Sequence, residues 1–568
     1  MRRAGPGVVG MIYLVTMFSA RALSVDRTHA RSMVITERGI VATSQTLASQ
    51  AGAQVLARGG SAVDAAIAAN AVLNVVEPMM NGMGGDLFAI HWRARTKELT
   101  GLNASGWAPK RLSLEFLRSQ GFTAMPQEGI HSVTVPGCVE GWAKLHQRFG
   151  RLPWRELFRP AIYYATHGFP VTELIQAAWA ASESKLRRDE HARRLYLPQG
   201  RAPRVGEVWR NAELARALEL VAEQGAAAFY KGPIAEAILR TSRRLGGTMD
   251  ASDLSEFQAE WVTPIWTEYR GWRIYQIPPN SQGIAALEML NILERFPIGA
   301  LRPGSADDFH YKIEAQKLAY QDLARYVADP RFVSVPVAGL LSKDYAARRA
   351  ALIDAERARC EVSPGQPLAS SGDTVYLSVV DREGNIVSLI QSIYLPFGSG
   401  IVVEGMGFHL HNRAGLFHFD EKHPNALAPR KRPFHTTIPA FMEKDHLHIG
   451  FGIMGGLSQA QAHAQFVSNI VDHGMNLQAA LEAPRFTKLN FGGCDLLIEG
   501  RVPAEVRAEL KRRGHILDER KDFDDLVGGG QAVMHDSATR VNYGASCPRK
   551  DGAAVPEPDP YFETGTNR

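Results

Sequence analysis

Thr374 follows Gly372-Asp373 and opens an apolar run, Thr374-Val-Tyr-Leu-Ser-Val-Val-Asp381. Threonine favours strands, and a single threonine in such a run is usually structural. Chemistry at this residue requires a cut between Asp373 and Thr374. The new N-terminal threonine would then carry a nucleophilic hydroxyl and an α-amine with a reference pKa of about 7.7–8.0. That amine is a general base for its own hydroxyl, so no separate histidine is needed. Gly455-Gly456, after Met454, also has two readings: a turn too tight for side chains, or two backbone N–H groups facing a tetrahedral oxyanion.

Other motifs carry less chemistry. Gly82-Met-Gly84-Gly85-Asp-Leu87 lacks the third glycine of a dinucleotide fingerprint. Ser399 has Phe397 two residues before it, so there is no G-x-S-x-G elbow. His409-Leu-His411 and His446-Leu-His448 could each set two imidazoles on one face of a strand, but no acidic or cysteine ligand is evident nearby, which favours surface histidines over a metal site. Cys138, Cys360, Cys494 and Cys547 are widely spaced without a C-x-x-C pair, excluding zinc and redox motifs and leaving the redox compartment open.

These residues need a scaffold. Thr43-Ser44 lead into a helix ending at Gly59-Gly60. Ser61 and Asp64 form a capping box for a second, alanine-rich helix closed by Pro78. Met79–Gly85 reads as a flexible turn, and Leu87–Trp92 as a strand. From about 110 to 350 the pattern is mainly helical, with strand-like exceptions such as Trp272–Ile277. Val362–Gly372 has loop composition. Thr374–Asp381 and Ile386–Ile393, joined at Arg382–Asn385, read as a hairpin. His446–Ile453 predicts a strand, followed after the two glycines by a helix from about Ser458.

The chain has 568 residues, 45% hydrophobic and 22% charged. That composition excludes a disordered chain, a collagen-like repeat and a disulfide-built miniprotein, and the length favours two parts over one small domain. The net charge is +5 and falls to +2 without residues 1–22. With no long run of like charge elsewhere, a nucleic-acid partner is not supported. Arg2-Arg3, the apolar stretch Val8–Ala20 and Ala20-Arg21-Ala22 resemble a signal peptide. On that reading the protein is periplasmic or secreted. The alternative is an upstream start with the protein beginning near Met33, which implies the cytoplasm.

Taken together, the chain resembles the γ-glutamyltransferase (glutathione hydrolase) family of N-terminal-nucleophile hydrolases. The matching stretches are Gly60-Ser-Ala-Val-Asp-Ala-Ala-Ile-Ala-Ala-Asn70, Val76-Glu-Pro78, Gly82–Phe88, Gly372–Asp381, Phe397-Gly-Ser-Gly400, Lys431-Arg-Pro433, Met454-Gly-Gly456 and Tyr543-Gly-Ala-Ser546. The resemblance implies an α+β fold, an αββα four-layer sandwich built by two chains of one precursor. Residues 1–32 read as a signal peptide or non-globular leader, and the resemblance implies a heavy chain at 33–373 and a light chain at 374–568. Thr374 falls on the nucleophile, Ser392 on the hydroxyl that supports it, and Gly455 and Gly456 on the oxyanion hole. No metal or organic cofactor is implied. The expected partners are a small γ-glutamyl or acyl amide, water or an amine acceptor, and the second chain.

Several positions depart from the family pattern. Ser105 takes the place of an arginine that holds the substrate α-carboxylate, and His435 and Thr436 replace two serines that help it. The acid expected to pair with the α-ammonium aligns with Leu416, and its neighbour with Arg413. Tyr394 replaces an asparagine near the nucleophile, and Leu416–Arg432 looks too short for the family's lid loop. An ammonium beside Leu416 and Arg413 would lose its counter-ion, at about 3–5 kcal/mol. Arg413 could instead hold a carboxylate bidentately, a pattern similar to the glutaryl and cephalosporin acylase branch, or pair with a structural acid. The expected activity is hydrolysis or transfer of γ-glutamyl-type amides through an acyl-enzyme. The alternatives are an acylase without α-amino recognition and a catalytically silent binding relative.

Overall fold

A computed structural model describes residues 29–361 and 374–561. Residues 1–28, the Val362–Gly372 stretch and Asp373 lie outside the described residues, so the expected leader and cut are seen only from their inner edges.

Two seven-stranded sheets form the centre. The strands Val375–Val380 and Ile386–Ser392 are the expected hairpin, paired antiparallel from Val375↔Gln391 to Val380↔Ile386. On one side this hairpin joins Ile40–Thr43, and on the other Asp86–Arg93. Leu447–Ile453 sits in the second sheet, between Ala440–Lys444 and Gly530–Asp536.

Every residue of both hairpin strands is buried, because each face meets a different layer. Val375, Leu377 and Val379 face a helical layer that includes Thr46–Ala57 and Ala62–Val76. Tyr376 and Val380 turn the other way, into a core with Phe88, Ile90, Ile390, Phe441 and Val533. Helices Gly283–Leu293, Ala306–Tyr326 and Ser458–Val471 cover the outer face of the second sheet. The result is the four-layer αββα sandwich. The division expected from length is therefore not one of separate domains: the strands before and after residue 374 share both sheets.

Local signals behave as their chemistry dictates. Ser61 accepts from the Asp64 N–H while Asp64 accepts from Ser61, completing the capping box. Ala65, Ala66, Ala68, Ala69 and Ala71 are all fully buried, so the small side chains allow close approach on every side. Two features differ from expectation. Glu260–Val262 and Ile265–Tyr269 are additional strands within the mainly helical stretch. The glycine-rich Met79–Gly85 turn is buried and pinned, with Gln391 accepting from the Gly82 N–H at 3.2 Å and donating to its carbonyl at 2.6 Å.

Candidate active site

Strand alternation aims the candidate nucleophile into the layer between the sheets. Thr374 lies one residue beyond the Val375↔Gln391 pair, and Ser392 one beyond it on the partner strand. Thr374 Oγ1 donates to Ser392 Oγ at 3.2 Å, and both residues are fully buried. Ser392 Oγ also accepts from the Tyr394 N–H at 2.8 Å, which orients the hydroxyl. Gln459 Nε2 approaches Thr374 Oγ1 at 3.4 Å, while its Oε1 accepts from the Ile438 N–H.

Gln459 connects Thr374 to the glycine pair. It lies in the first turn of helix Ser458–Val471, and its N–H donates to the Gly456 carbonyl. Gly455 has φ +137° and Gly456 φ +58°, backbone that L side chains rarely adopt. Among the described residues neither glycine N–H has a hydrogen-bond acceptor. Gln282 fixes the carbonyl side, donating to Gly456 O at 2.7 Å and to Thr436 O at 2.5 Å. Two unpaired N–H groups at a helix start, next to the residue that touches Thr374, have the chemistry of an anion cradle.

A buried charged cluster adjoins this centre. Asp86, directly opposite Ser392 in the sheet, accepts from the Gly106 N–H at 2.9 Å and from His435 Nε2 at 2.8 Å. His411 Nδ1 lies 3.3 Å away. The Thr437 N–H donates to His435 Nδ1 at 3.2 Å, which assigns the proton to Nε2 and so to the bond with Asp86. Burial opposes charge on Asp86, but His411 and His435 outweigh it and hold the carboxyl below the ordinary range. Burial, with Arg413 beside it, lowers His435 to about 3, so its ring is neutral near pH 7.

Arg413 completes the cluster. Its Nη1 donates to Thr436 Oγ1 at 2.8 Å, and its guanidinium carbon stands 4.7 Å from the Tyr394 ring centroid. Nε and Nη2 are buried without a hydrogen-bond acceptor among the described residues. Asp86 Oδ2 is 3.7 Å from Nε, an ion-pair distance but not a hydrogen bond. Burial lowers Arg413 to about 10, which leaves it cationic.

The structure thus brings Thr374, Ser392, Tyr394, Arg413, His435 and Thr436 into one contact network. Ser105 is nearby but occupied: its hydroxyl donates to Asn103 Oδ1 at 2.7 Å and accepts from Asn280 at 3.2 Å. Leu416 is buried in the short turn Arg413–Leu416. Two expectations are corrected. His409 and His411 are buried rather than on the surface, and they diverge: His411 meets Asp86, while His409 packs 4.4 Å from the Tyr196 ring and 4.9 Å from Phe397. His448 is also buried, stacked on Trp92. An acid does stand beside His411, and it is Asp86. Sequence reasoning missed Asp86, Gln282 and Gln459, because the long separation to their partners hides them; the Gly-Gly-Asp string at 84–86 was the available signal.

The sandwich and the buried threonine at a strand start define an N-terminal-nucleophile hydrolase fold. A family model described as Gamma-glutamyltranspeptidase matches residues 48–557, and the chain belongs to that family. It is 36% identical over 527 residues to the "Glutathione hydrolase-like YwrD proenzyme" of Bacillus subtilis (strain 168), covering 92% of this chain and 99% of that protein. It is also 36% identical to the "Acylase ACY 1 proenzyme" of Pseudomonas sp. (strain SE83), covering 91% and 93%. The crystal structure of a cephalosporin acylase from Bacillus halodurans superposes with a TM-score of 0.87 at 40% identity, covering 95% of this chain and 99% of that one.

Proposed function

We propose that the chain is a precursor that cleaves itself between Asp373 and Thr374, and that Thr374 then hydrolyses or transfers the acyl group of an amide. The freed α-amine takes the proton of Oγ1 as the oxygen attacks the amide carbonyl. The oxyanion is met by the Gly455 and Gly456 N–H groups, and Ser392 holds the attacking hydroxyl. The amine leaves with the proton, and water or an amine opens the resulting ester. The Thr374–Ser392 hydrogen bond supports this reading, as does the word proenzyme in the names of both curated relatives. Thr374→Ala should give one full-length band on a reducing denaturing gel and no turnover. Two bands from that variant would sink the proposal.

The acyl group favoured here ends in a carboxylate and has no α-amine. The observation that carries this is Arg413, a buried cation with two guanidinium positions lacking acceptors. A carboxylate would accept from both, and the likeness to acylases agrees. The second reading is a γ-glutamyl substrate, favoured by Asp86 as an anion for its ammonium. Both Asp86 oxygens, however, already accept hydrogen bonds. Turnover of glutaryl and γ-glutamyl anilides decides: we expect kcat/KM for the glutaryl compound to be higher, and exclusive γ-glutamyl turnover would reverse the order.

A further inference from the structure

Cys360 and Cys494 form a disulfide, with Cα atoms 4.7 Å apart, inside the range that needs no backbone movement. Cys138 and Cys547 are each buried as free thiols. Cys360 precedes Thr374 and Cys494 follows it, so the pair straddles the proposed cut. We propose that this disulfide covalently ties the heavy chain to the light chain in the mature protein. The inference rests on the self-cleavage proposed above.

The surroundings show a prepared junction between the two parts of the chain. The Ala358 N–H donates to Arg513 O at 2.7 Å, and Arg513 Nη1 returns a bond to Ala355 O at 3.1 Å. The Arg359 N–H donates to Glu314 at 3.2 Å. On the other side, the Ile516 N–H donates to Cys494 O at 2.9 Å, at the edge of the parallel pair Asp495–Glu499 and Ile516–Arg520. Both sulfur-bearing segments are therefore held in place by their own backbone bonds.

The groups nearby also suit thiol chemistry. Lys317 Nζ lies 3.5 Å from Cys494 Sγ and 2.7 Å from Glu314. An ammonium at that position stabilises a thiolate. His310, Glu314 and His515 lie within 4.8 Å of one another as possible metal ligands. They are engaged mutually instead, with His310 Nδ1 2.9 Å from His515 Nε2 and Glu314 on Lys317.

Formation of the bond requires an oxidant that is itself a disulfide, either a protein or a small molecule such as oxidised glutathione. One cysteine thiolate attacks that disulfide and expels a thiolate. The second cysteine thiolate then attacks the mixed disulfide and expels the other. Two protein thiols are oxidised, the external disulfide is reduced to two thiols, and the two protons pass to those products.

Because both sheets contain strands from each side of Thr374, the chains hold together in the native state without this bond. The tether matters when the fold opens, since re-association is then intramolecular. The test is the mature protein, incubated with oxidised glutathione, alkylated, and run on denaturing gels with and without reductant. One band without reductant and two with it are expected, together with a linked Cys360–Cys494 peptide by mass spectrometry. Cys360→Ser should give two bands in both lanes while retaining activity. Two bands from the wild type without reductant would overturn the tether alone. A single band in both lanes would refute the cleavage and the tether with it.

Discussion

Asp86 and Ser392 are direct cross-strand partners in the central sheet. The carboxylate that anchors His435 and faces Arg413 therefore shares a rung with the hydroxyl that receives the Thr374 hydrogen bond. Opposed side chains on neighbouring strands lie on one face, so the proposed nucleophile and the proposed acyl-end pocket are set by sheet register rather than by a loop. Gly85 makes the approach possible: a Cβ there would stand 2.3 Å from the Ser392 carbonyl oxygen.

Ser392→Ala removes the acceptor of the Thr374 hydroxyl. A neutral hydrogen bond contributes about 1 kcal/mol, so kcat should fall roughly 3- to 10-fold, with Ser392→Thr close to wild type. An unchanged kcat for the alanine variant would show that the 3.2 Å contact does not orient the nucleophile.

Gly455→Ala tests the anion cradle. Its φ of +137° disfavours any L side chain, and the new Cβ would lie 3.2 Å from Ser458 Cβ and 3.3 Å from Gly528 Cα. Displacing one oxyanion donor costs about 10²-fold in kcat. The loss should exceed any change in KM. Equal kcat in the variant would move the oxyanion site elsewhere.

Arg413→Met should raise KM for a glutaryl anilide by about 10²-fold, from losing a buried charge partner. A butyryl anilide, which has no acid end, should be affected far less. The ratio of the two substrates separates recognition from simple structural damage. If both substrates lose equally, Arg413 only supports the fold through Asp86 and Thr436.

Acid should destabilise the protein before its carboxylates titrate. Burial lowers His91, His409, His435 and His463 each to about 3, against about 6.5 in an unfolded chain. Between those values the unfolded state binds protons that the folded state refuses. Stability is complete above about pH 6.5 and is lost as pH falls toward 3, by up to about 1.4 kcal/mol per unit for each group. His409→Phe removes one such group, one whose nitrogens have no hydrogen-bond partner among the described residues. Its thermal midpoint should drop less between pH 7 and 5.5 than the wild type's; an equal drop would count against His409 as a contributor.

Much of this was legible in one dimension. Two β-rich runs joined at Arg382–Asn385 located the hairpin, and the Ser61–Asp64 box located a helix start, because both depend on contacts within a few residues. Thr374, Ser392, Gly455 and Gly456 could be named from motif resemblance before any geometry. What remained invisible was long-range. Asp86 is separated from His435 by 349 positions, yet their side chains bond at 2.8 Å, and nothing local in either segment encodes that distance. The same holds for Cys360 and Cys494, 134 residues apart, whose spacing excludes a metal motif but cannot reveal a partner. The sequence by itself determined the family, and through that resemblance the expected sandwich and the candidate nucleophile, since the matching motifs are short and local. Only the tertiary structure decided which groups surround that threonine, because register and layer packing alone bring distant charges within hydrogen-bonding range.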